Sequence, residues 1–151
     1  MFQAIESSSS LLEILDVAIE ADGAAKGNVQ LFNSSLGGLE IVAQRGFDES
    51  FLETFRIVRA DEPSTCGRAL RFKRRVMISD IRDDLFFWPY LTVAAEAGFR
   101  AVQSTPIITE DGMVKGILST HFANVHRLSA NAVKTLDHCA ARMARVMTEG
   151  N

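Results

Sequence analysis

The sequence predicts a single soluble α+β domain with a mostly antiparallel sheet. The chain has 151 residues, 47% of them hydrophobic and 23% charged, which is enough to bury one core. Strand hairpins are predicted near both ends of the sheet region, and hairpins join antiparallel strands. Apolar residues recur at helical spacing at both ends of the chain. We therefore expect one helix before the strands and one after them in the chain, and a single domain over residues 1–151.

The first helix is predicted at about residues 10–23. Ser10 and Glu13 have the spacing of a capping box, and Gly23 is a typical helix stop. Leucine and isoleucine side chains then form an apolar stripe that predicts packing on a sheet. The elements predicted after it, in chain order, are strands at 29–32 and 39–44, a helix within 47–58, a helix at 65–72, a strand at 76–79, a helix at 90–97, and strands at 101–108 and 114–122.

The last helix is predicted at about 129–148, with Ser129 as its N-cap. Its apolar residues follow a narrow three-four repeat, which is typical of a helix–helix seam. The seam consists of Val133, Leu136, Ala140, Met143 and Met147. We expect this helix and the first helix to lie side by side on one face of the sheet, and the seam to face a second copy of the chain.

Composition excludes several classes of partner. The formal net charge is -3, which argues against a nucleic-acid surface. No apolar segment approaches the ~20 residues that span a bilayer, and no signal peptide begins the chain, so we expect a cytoplasmic domain without a membrane partner. The two cysteines, Cys66 and Cys139, do not have metal-ligand spacing, and no metal is predicted.

Several strings, between about residues 28 and 145, resemble the GAF family of sensory domains. They are GNVQLFN, LEIVAQRGFDESFLE, STCGRALRFKRRVMISDI and AGFRAVQSTPIITEDGMVKGILSTHF. The resemblance is to members found beside bacterial sensor kinases and other signalling outputs. It implies a five- or six-stranded antiparallel sheet, terminal helices on one face, and short helices over a small-molecule pocket on the other. It also implies homodimers through the terminal helices, and a signalling output domain or kinase as a partner.

The better-known specialisations of that family are not matched. The chain lacks the NKFDE-type signature of cyclic-nucleotide-binding members. Bilin-binding members attach the chromophore at a Cys followed by His, whereas Gly67 follows Cys66 here. Free methionine sulfoxide reductases of this fold use several clustered cysteines, whereas Cys139 lies far from Cys66 in the sequence. The resemblance therefore leaves the ligand and any cofactor unknown.

Eight residues are predicted to contact a ligand. Polar side chains within predicted strands need a hydrogen-bond partner, which could be a ligand or another protein group. Aromatic residues before the helix at 90–97 could form a lid or ordinary core. The predicted ligand-binding residues are Gln30, Cys66, Trp88, Tyr90, Gln103, Thr105, Ser119 and His121.

The sequence leaves three functions open. The first is a non-enzymatic sensory module that binds a small molecule and dimerises. The second is a thiol redox sensor or redox enzyme that uses Cys66, because a helix N-terminus and Arg68 both favour the thiolate. Cys66 could equally be a small buried filler, since free cysteine is among the most buried residue types. The third is a dimerisation spacer that has lost its ligand.

Overall fold

The computed structural model describes the backbone of residues 2–149 and the side chains of residues 9–149; residues 1, 150 and 151 of the predicted domain lie outside the described part. The described part contains two short 3-10 helices, Ile81–Asp83 and Leu85–Tyr90. The other elements are α1 (Phe2–Glu20), β1 (Lys26–Asn33), β2 (Gly38–Arg45), α2 (Glu49–Thr54), α3 (Thr65–Phe72), β3 (Val76–Ile78), α4 (Leu91–Ala97), β4 (Ala101–Ile108), β5 (Val114–Phe122) and α5 (Ala130–Glu149).

The five strands form one antiparallel sheet in the order β2-β1-β5-β4-β3. The two predicted hairpins, β1–β2 and β4–β5, meet through the β1–β5 pair at the centre of the sheet. Strands β4 and β5 have the predicted bounds, and the strand count agrees with the predicted five or six. The sequence prediction of an α+β antiparallel fold is therefore confirmed.

The first helix begins earlier than predicted. It runs from Phe2 to Glu20, so the predicted capping pair Ser10 and Glu13 lies inside it. A serine in a helix interior costs only a few tenths of a kcal/mol, roughly, relative to alanine, so a capping signature alone does not start a helix. The last helix begins as predicted. Ser129 caps its N-terminus, since its hydroxyl accepts a hydrogen bond from the Ala132 amide at 3.1 Å.

The terminal helices pack side by side on one face of the sheet, as predicted. Their apolar side chains form one core layer with the strand residues that face them. The largest members are Leu11, Leu15, Leu136, Met143, Ile107 and Leu118, all no more than 2% exposed.

The predicted seam of α5 is used within this layer. Met143 is fully buried, Leu136 is 1% exposed and Ala140 is 6% exposed. These three side chains belong to the core layer of α1, α5 and the sheet, so this part of the seam faces its own domain, and the homodimer stays a prediction. A narrow three-four repeat indicates packing against another helix, but it does not show whether that helix belongs to the same chain or to a second copy.

The opposite face carries a second core layer, which we call the roof. It comprises α2, α3, both 3-10 helices and α4, and its core is aromatic. The aromatic core residues are Phe47, Phe51, Phe55, Phe87 and Phe99. Helix α3 approaches the preceding loop so closely that a Cβ at Gly67 would be 2.4 Å from the Glu62 carbonyl oxygen. This contact explains why glycine, and no larger residue, follows Cys66.

Candidate functional site

A small cavity lies between the roof and the central strands. Its volume is about 20 Å³, which is room for about one water-sized group in this conformation. Strands β1, β4 and β5 form its floor, and residues from α2, α3 and the second 3-10 helix form its roof. The lining residues are Asn28, Gln30, Phe51, Phe55, Ser64, Thr65, Cys66, Phe87, Phe99, Val102, Ser104, Ser119 and His121.

The pairing of the strands explains the polar floor. Ser104 is paired with Ser119 across β4 and β5, and Ser119 with Asn28 across β5 and β1. Directly paired residues of an antiparallel sheet share a face, so all three face the roof. The hydroxyls of Ser104 and Ser119 are 2.6 Å apart and hydrogen-bonded. The alternation of strand side chains adds Gln30 and His121 to the same face.

Three polar atoms of this floor lack a hydrogen-bond partner among the described residues. They are Oδ1 of Asn28, Oε1 of Gln30 and Nδ1 of His121. The three residues are only 4%, 1% and 5% exposed. A buried polar group without a partner costs about 1–3 kcal/mol, so native proteins rarely leave three in one place. The cavity is therefore suited to a group that supplies hydrogen bonds.

His121 is held in its neutral form. Burial, aided by the nearby positive charge of Lys26, lowers its pKa from 6.5 to about 3. Phenylalanine rings surround the imidazole, and the centroids of Phe99 and Phe47 lie 4.6 and 4.8 Å from it. A neutral imidazole can donate or accept one hydrogen bond at each nitrogen, depending on its tautomer. None of the lining residues is acidic or basic apart from this neutral histidine, and among the described residues no group of three His, Cys, Asp or Glu could hold a metal ion.

Cys66 lies in the cavity wall at the first turn of α3. The N-cap Ser64 accepts a hydrogen bond from the Gly67 amide at 3.2 Å, and its hydroxyl oxygen is 3.4 Å from the Cys66 sulfur. The cysteine is 8% exposed, and burial raises the pKa of its thiol. Desolvation outweighs the helix N-terminus here, so the sequence argument for a thiolate is not supported. Cys139 belongs to the core layer on the other face of the sheet.

Gln103 and Thr105 are not in the cavity, contrary to the prediction. They face the terminal helices, because β4 pairs Gln103 with Thr120 and not with Ser119. The Gln103 amide donates to the Thr120 hydroxyl at 3.0 Å and to the Leu118 carbonyl at 3.3 Å. Thr105 in turn donates to the Gln103 side-chain oxygen at 2.6 Å. Their polar groups are therefore bonded within the protein.

Trp88 and Tyr90 do not line the cavity either. Trp88 is 75% exposed, so the predicted aromatic lid does not include it. Tyr90 is half-buried and packs behind the lining, with its ring centroid 5.3 Å from Phe55 and 5.4 Å from Phe87. Phe87, which is 2% exposed, is the aromatic residue of this segment that lines the cavity. The segment is a 3-10 helix with three residues per turn, so Phe87 and Tyr90 face inward and Trp88 faces solvent.

Four predicted residues, Gln30, Cys66, Ser119 and His121, are brought together at the cavity, where their ligand-binding role stays a prediction. Asn28 and Ser104 were missed by sequence reasoning. The sequence does contain a signal for Asn28, because it lies two residues before Gln30 in β1 and therefore on the same face of the sheet. Ser104 lies between two polar neighbours, so only the register of β4 against β5 identifies it.

An ion pair holds the roof together beside the cavity. Arg68 of α3 makes two hydrogen bonds to Asp84, at 2.9 and 3.0 Å, and a third to the Pro63 carbonyl at 2.8 Å. Asp84 also accepts from the Phe87 amide at 2.9 Å and so caps the second 3-10 helix. Because α3 carries Cys66 and the 3-10 helix carries Phe87, this clamp joins two walls of the cavity.

The described fold and cavity define the class of protein. The family model of the GAF domain matches residues 8–148, so the chain belongs to the GAF domain family. No curated protein matches the sequence. Within the described residues, the structure contains no helix with the length and hydrophobicity to cross a membrane.

Solved structures share the fold at low sequence identity. The GAF domain region of a protein described as a membrane protein from Geobacter sulfurreducens PCA is 14% identical, with a TM-score of 0.83 and coverage of 99% of this chain and 97% of that chain. A domain of a protein described as a two-component sensor histidine kinase from Sinorhizobium meliloti 1021 is 18% identical, with a TM-score of 0.72 and coverage of 95% and 90%. The free methionine-R-sulfoxide reductase from Neisseria meningitidis is 15% identical, with a TM-score of 0.77 and coverage of 95% and 79%.

Proposed function

We propose that this domain is a non-enzymatic regulatory module that binds a small molecule in a bacterial signal-transduction system. The observation that carries the proposal is the convergence of three buried, unpartnered polar atoms on one cavity, from Asn28, Gln30 and His121. A molecule that bonds to these atoms would offset the cost of burying them without partners.

The chemistry of the lining favours an uncharged ligand that donates hydrogen bonds. The oxygens of Asn28 and Gln30 are acceptors, and they need donors. An anion would find no cation in the lining, and a cation would be disfavoured by Lys26, whose charge already lowers the pKa of His121. In a cavity of about 20 Å³, any ligand larger than water requires the aromatic roof to move outward.

The partner in this proposal is a signalling output domain or kinase. The context rests on membership of the GAF family; a domain described as part of a sensor histidine kinase shares the fold, at 18% identity. A homodimer through the terminal helices would have to use their outer surfaces, since the predicted seam of α5 is buried within the domain. Val17 on α1, which is 44% exposed, is suited to testing that surface. If the pair forms there, Val17→Glu should convert a dimer to a monomer in sedimentation without loss of the fold.

A thiol-based redox function has less support. Burial raises the pKa of Cys66, which disfavours the reactive thiolate. The second cysteine belongs to the other core layer and could not reach Cys66 to form a disulfide. Two reductases share the fold, but at 15% identity they support the fold alone.

The proposal is tested by native mass spectrometry of protein purified from its own host. We expect wild-type protein to retain an added small-molecule mass, and Gln30→Met to lose it while remaining folded. Val125→Ser, a change at a position that is 53% exposed and outside the cavity, is the matched control and should retain the mass. Bare protein in all three samples would count against the proposed function.

A further inference from the structure

Three large apolar side chains project from the second 3-10 helix into solvent. Leu85 is 88% exposed, Phe86 70% and Trp88 75%. We call these three residues the aromatic tip. The segment between them is not loose, because Phe87 is buried and the Arg68–Asp84 clamp fixes its first turn. Large apolar side chains that are exposed together on one ordered segment are typical of an interaction site.

Basic side chains continue the tip along α3. The Arg68 guanidinium lies 5.9 Å from the centre of the Phe86 ring. Phe72, one helical turn further and 52% exposed, has Arg71 and Arg74 at 5.3 and 5.7 Å from its ring centre. Arg68 is neutralised by Asp84, whereas Arg71 and Arg74 form no ion pair with any described residue. The surface therefore combines exposed aromatic rings with unpaired positive charge.

We propose that the aromatic tip and the end of α3 form a docking surface for an anionic lipid bilayer. Tryptophan and phenylalanine prefer the interface of a bilayer, and nearby arginines are attracted to anionic headgroups. Side chains that are 70–88% exposed have solvent on most sides, so a rigid protein partner would need a separate socket for each. A lipid interface accommodates such side chains without a preformed shape.

This inference departs from the sequence expectation that the domain has no membrane partner. That expectation rested on the lack of a spanning segment, and binding at a lipid surface does not require one. The net charge of -3 means that only the local patch attracts the bilayer, so the binding should weaken as salt is added. The inference is independent of the ligand proposed for the cavity.

Trp88 is the only tryptophan in the chain, so its fluorescence reports on the tip directly. We expect its emission to shift to shorter wavelength when vesicles of phosphatidylcholine with phosphatidylglycerol are added, and not with phosphatidylcholine alone. The protein should co-sediment with the anionic vesicles. Phe86→Ser, and separately the pair Arg71→Gln with Arg74→Gln, should each reduce the bound fraction about tenfold or more.

Met113→Ser is the matched control, because Met113 is 54% exposed in the turn between β4 and β5, outside the patch. Circular dichroism should show that every variant keeps the wild-type fold. The proposal is overturned if anionic vesicles leave the Trp88 emission unchanged, or if the patch variants bind as well as Met113→Ser does. An emission shift that depends on protein concentration without vesicles would assign the tip to contacts between copies and would equally overturn it.

Discussion

Gln30 and Gln103 are both buried in the sheet, and they differ in whether their side-chain oxygen has a partner. Gln103 is bonded on both sides by threonine hydroxyls, whereas Oε1 of Gln30 has no partner among the described residues. At the scale of single residues, this difference separates a structural polar group from one available to a ligand. Two matched substitutions test it.

Gln30→Met keeps the length of the side chain and removes the unpartnered oxygen. We expect it to raise the free energy of unfolding of the ligand-free protein by about 1 kcal/mol, because the cost of a buried unsatisfied acceptor disappears. Gln103→Met should lower the same quantity by about 1–3 kcal/mol, because the hydroxyls of Thr105 and Thr120 lose their hydrogen bonds to Gln103. Urea denaturation measures both. A loss of stability in both variants would mean that Gln30 already has a partner, and would remove the main support for the proposed function.

The buried His121 predicts a dependence of stability on pH. Its pKa is about 3 in the folded protein and 6.5 when unperturbed, so between these values the unfolded chain binds more protons. Stability is therefore complete above pH 6.5 and declines as the pH falls toward 3. The loss should be up to about 1.4 kcal/mol for each pH unit. Denaturation of wild type and His121→Phe at pH 7 and pH 5 isolates this contribution; equal slopes for the two proteins would contradict it.

At the scale of elements, the roof controls access to the cavity. Helix α3 and the second 3-10 helix meet at the Arg68–Asp84 clamp, whose side chains are only 17% and 21% exposed. Partly buried bidentate pairs of this kind are stronger than surface ion pairs. We expect Cys66 to become exposed when α3 and the second 3-10 helix separate, so the reactivity of its thiol reports how often this pair breaks.

Asp84→Asn removes the charge and keeps a residue that can cap the 3-10 helix. We expect iodoacetamide to alkylate Cys66 about tenfold faster in this variant, which corresponds to about 1.4 kcal/mol of easier opening. In wild type the reaction should be slow. Cys139, fully buried in the other core layer, is the internal reference in peptide mass analysis. Asp16→Asn, which breaks an exposed ion pair with Arg45, should leave the Cys66 rate unchanged; an equal acceleration there would contradict the role of the clamp.

The buried position of Met143 in α5 determines the expected effect of a substitution there. Since Met143 is fully buried among side chains of its own domain, Met143→Glu places an unpaired charge in that core. We expect a loss of about 3–5 kcal/mol in the free energy of unfolding. Thermal unfolding measures the loss, and sedimentation of the remaining folded protein measures its association. A variant with wild-type stability would show that α5 is not packed as described.

At the scale of the whole molecule, local sequence patterns predicted most of the elements. Which residues lie on each face of the sheet depends on how the strands pair. Hairpin signals and helical periodicity placed β4, β5 and the terminal helices on one sheet. They did not set the register of β4 against β5, and a shift of one residue exchanges the two faces. Gln103 and Thr105 were therefore assigned to the cavity, which contains Ser104 instead.

Two further interpretations have different origins. Trp88 and Phe87 are adjacent in sequence, and only the geometry of the 3-10 helix decides which ring reaches the cavity. The repeat in α5 was correct as a packing pattern, but a sequence does not reveal whether the neighbouring helix belongs to the same chain. The first case concerns an element that the sequence did not predict, the 3-10 helix Leu85–Tyr90, and the second concerns only the partner of a helix that was predicted.

The whole-molecule organisation places the cavity in one layer and the terminal helices in the other, joined by the sheet. Contacts link the layers at the edge of the sheet, where Arg75, just after α3, bonds to Thr105 at 2.9 Å and to Asp137 of α5. Arg75 therefore joins the end of α3 directly to α5. The proposed function depends first on whether a molecule binds beneath the roof.

Nuclear magnetic resonance of protein labelled with ¹⁵N at its three histidines shows whether a molecule binds beside His121. Small-molecule fractions of the host cell are added, and the imidazole signals of His121, His126 and His138 are followed. The account predicts that at least one fraction shifts the His121 signals, that His126 and His138 remain unchanged, and that Gln30→Met abolishes the shift. Fractions that leave His121 unaffected throughout, or that shift only His126 and His138, would contradict it.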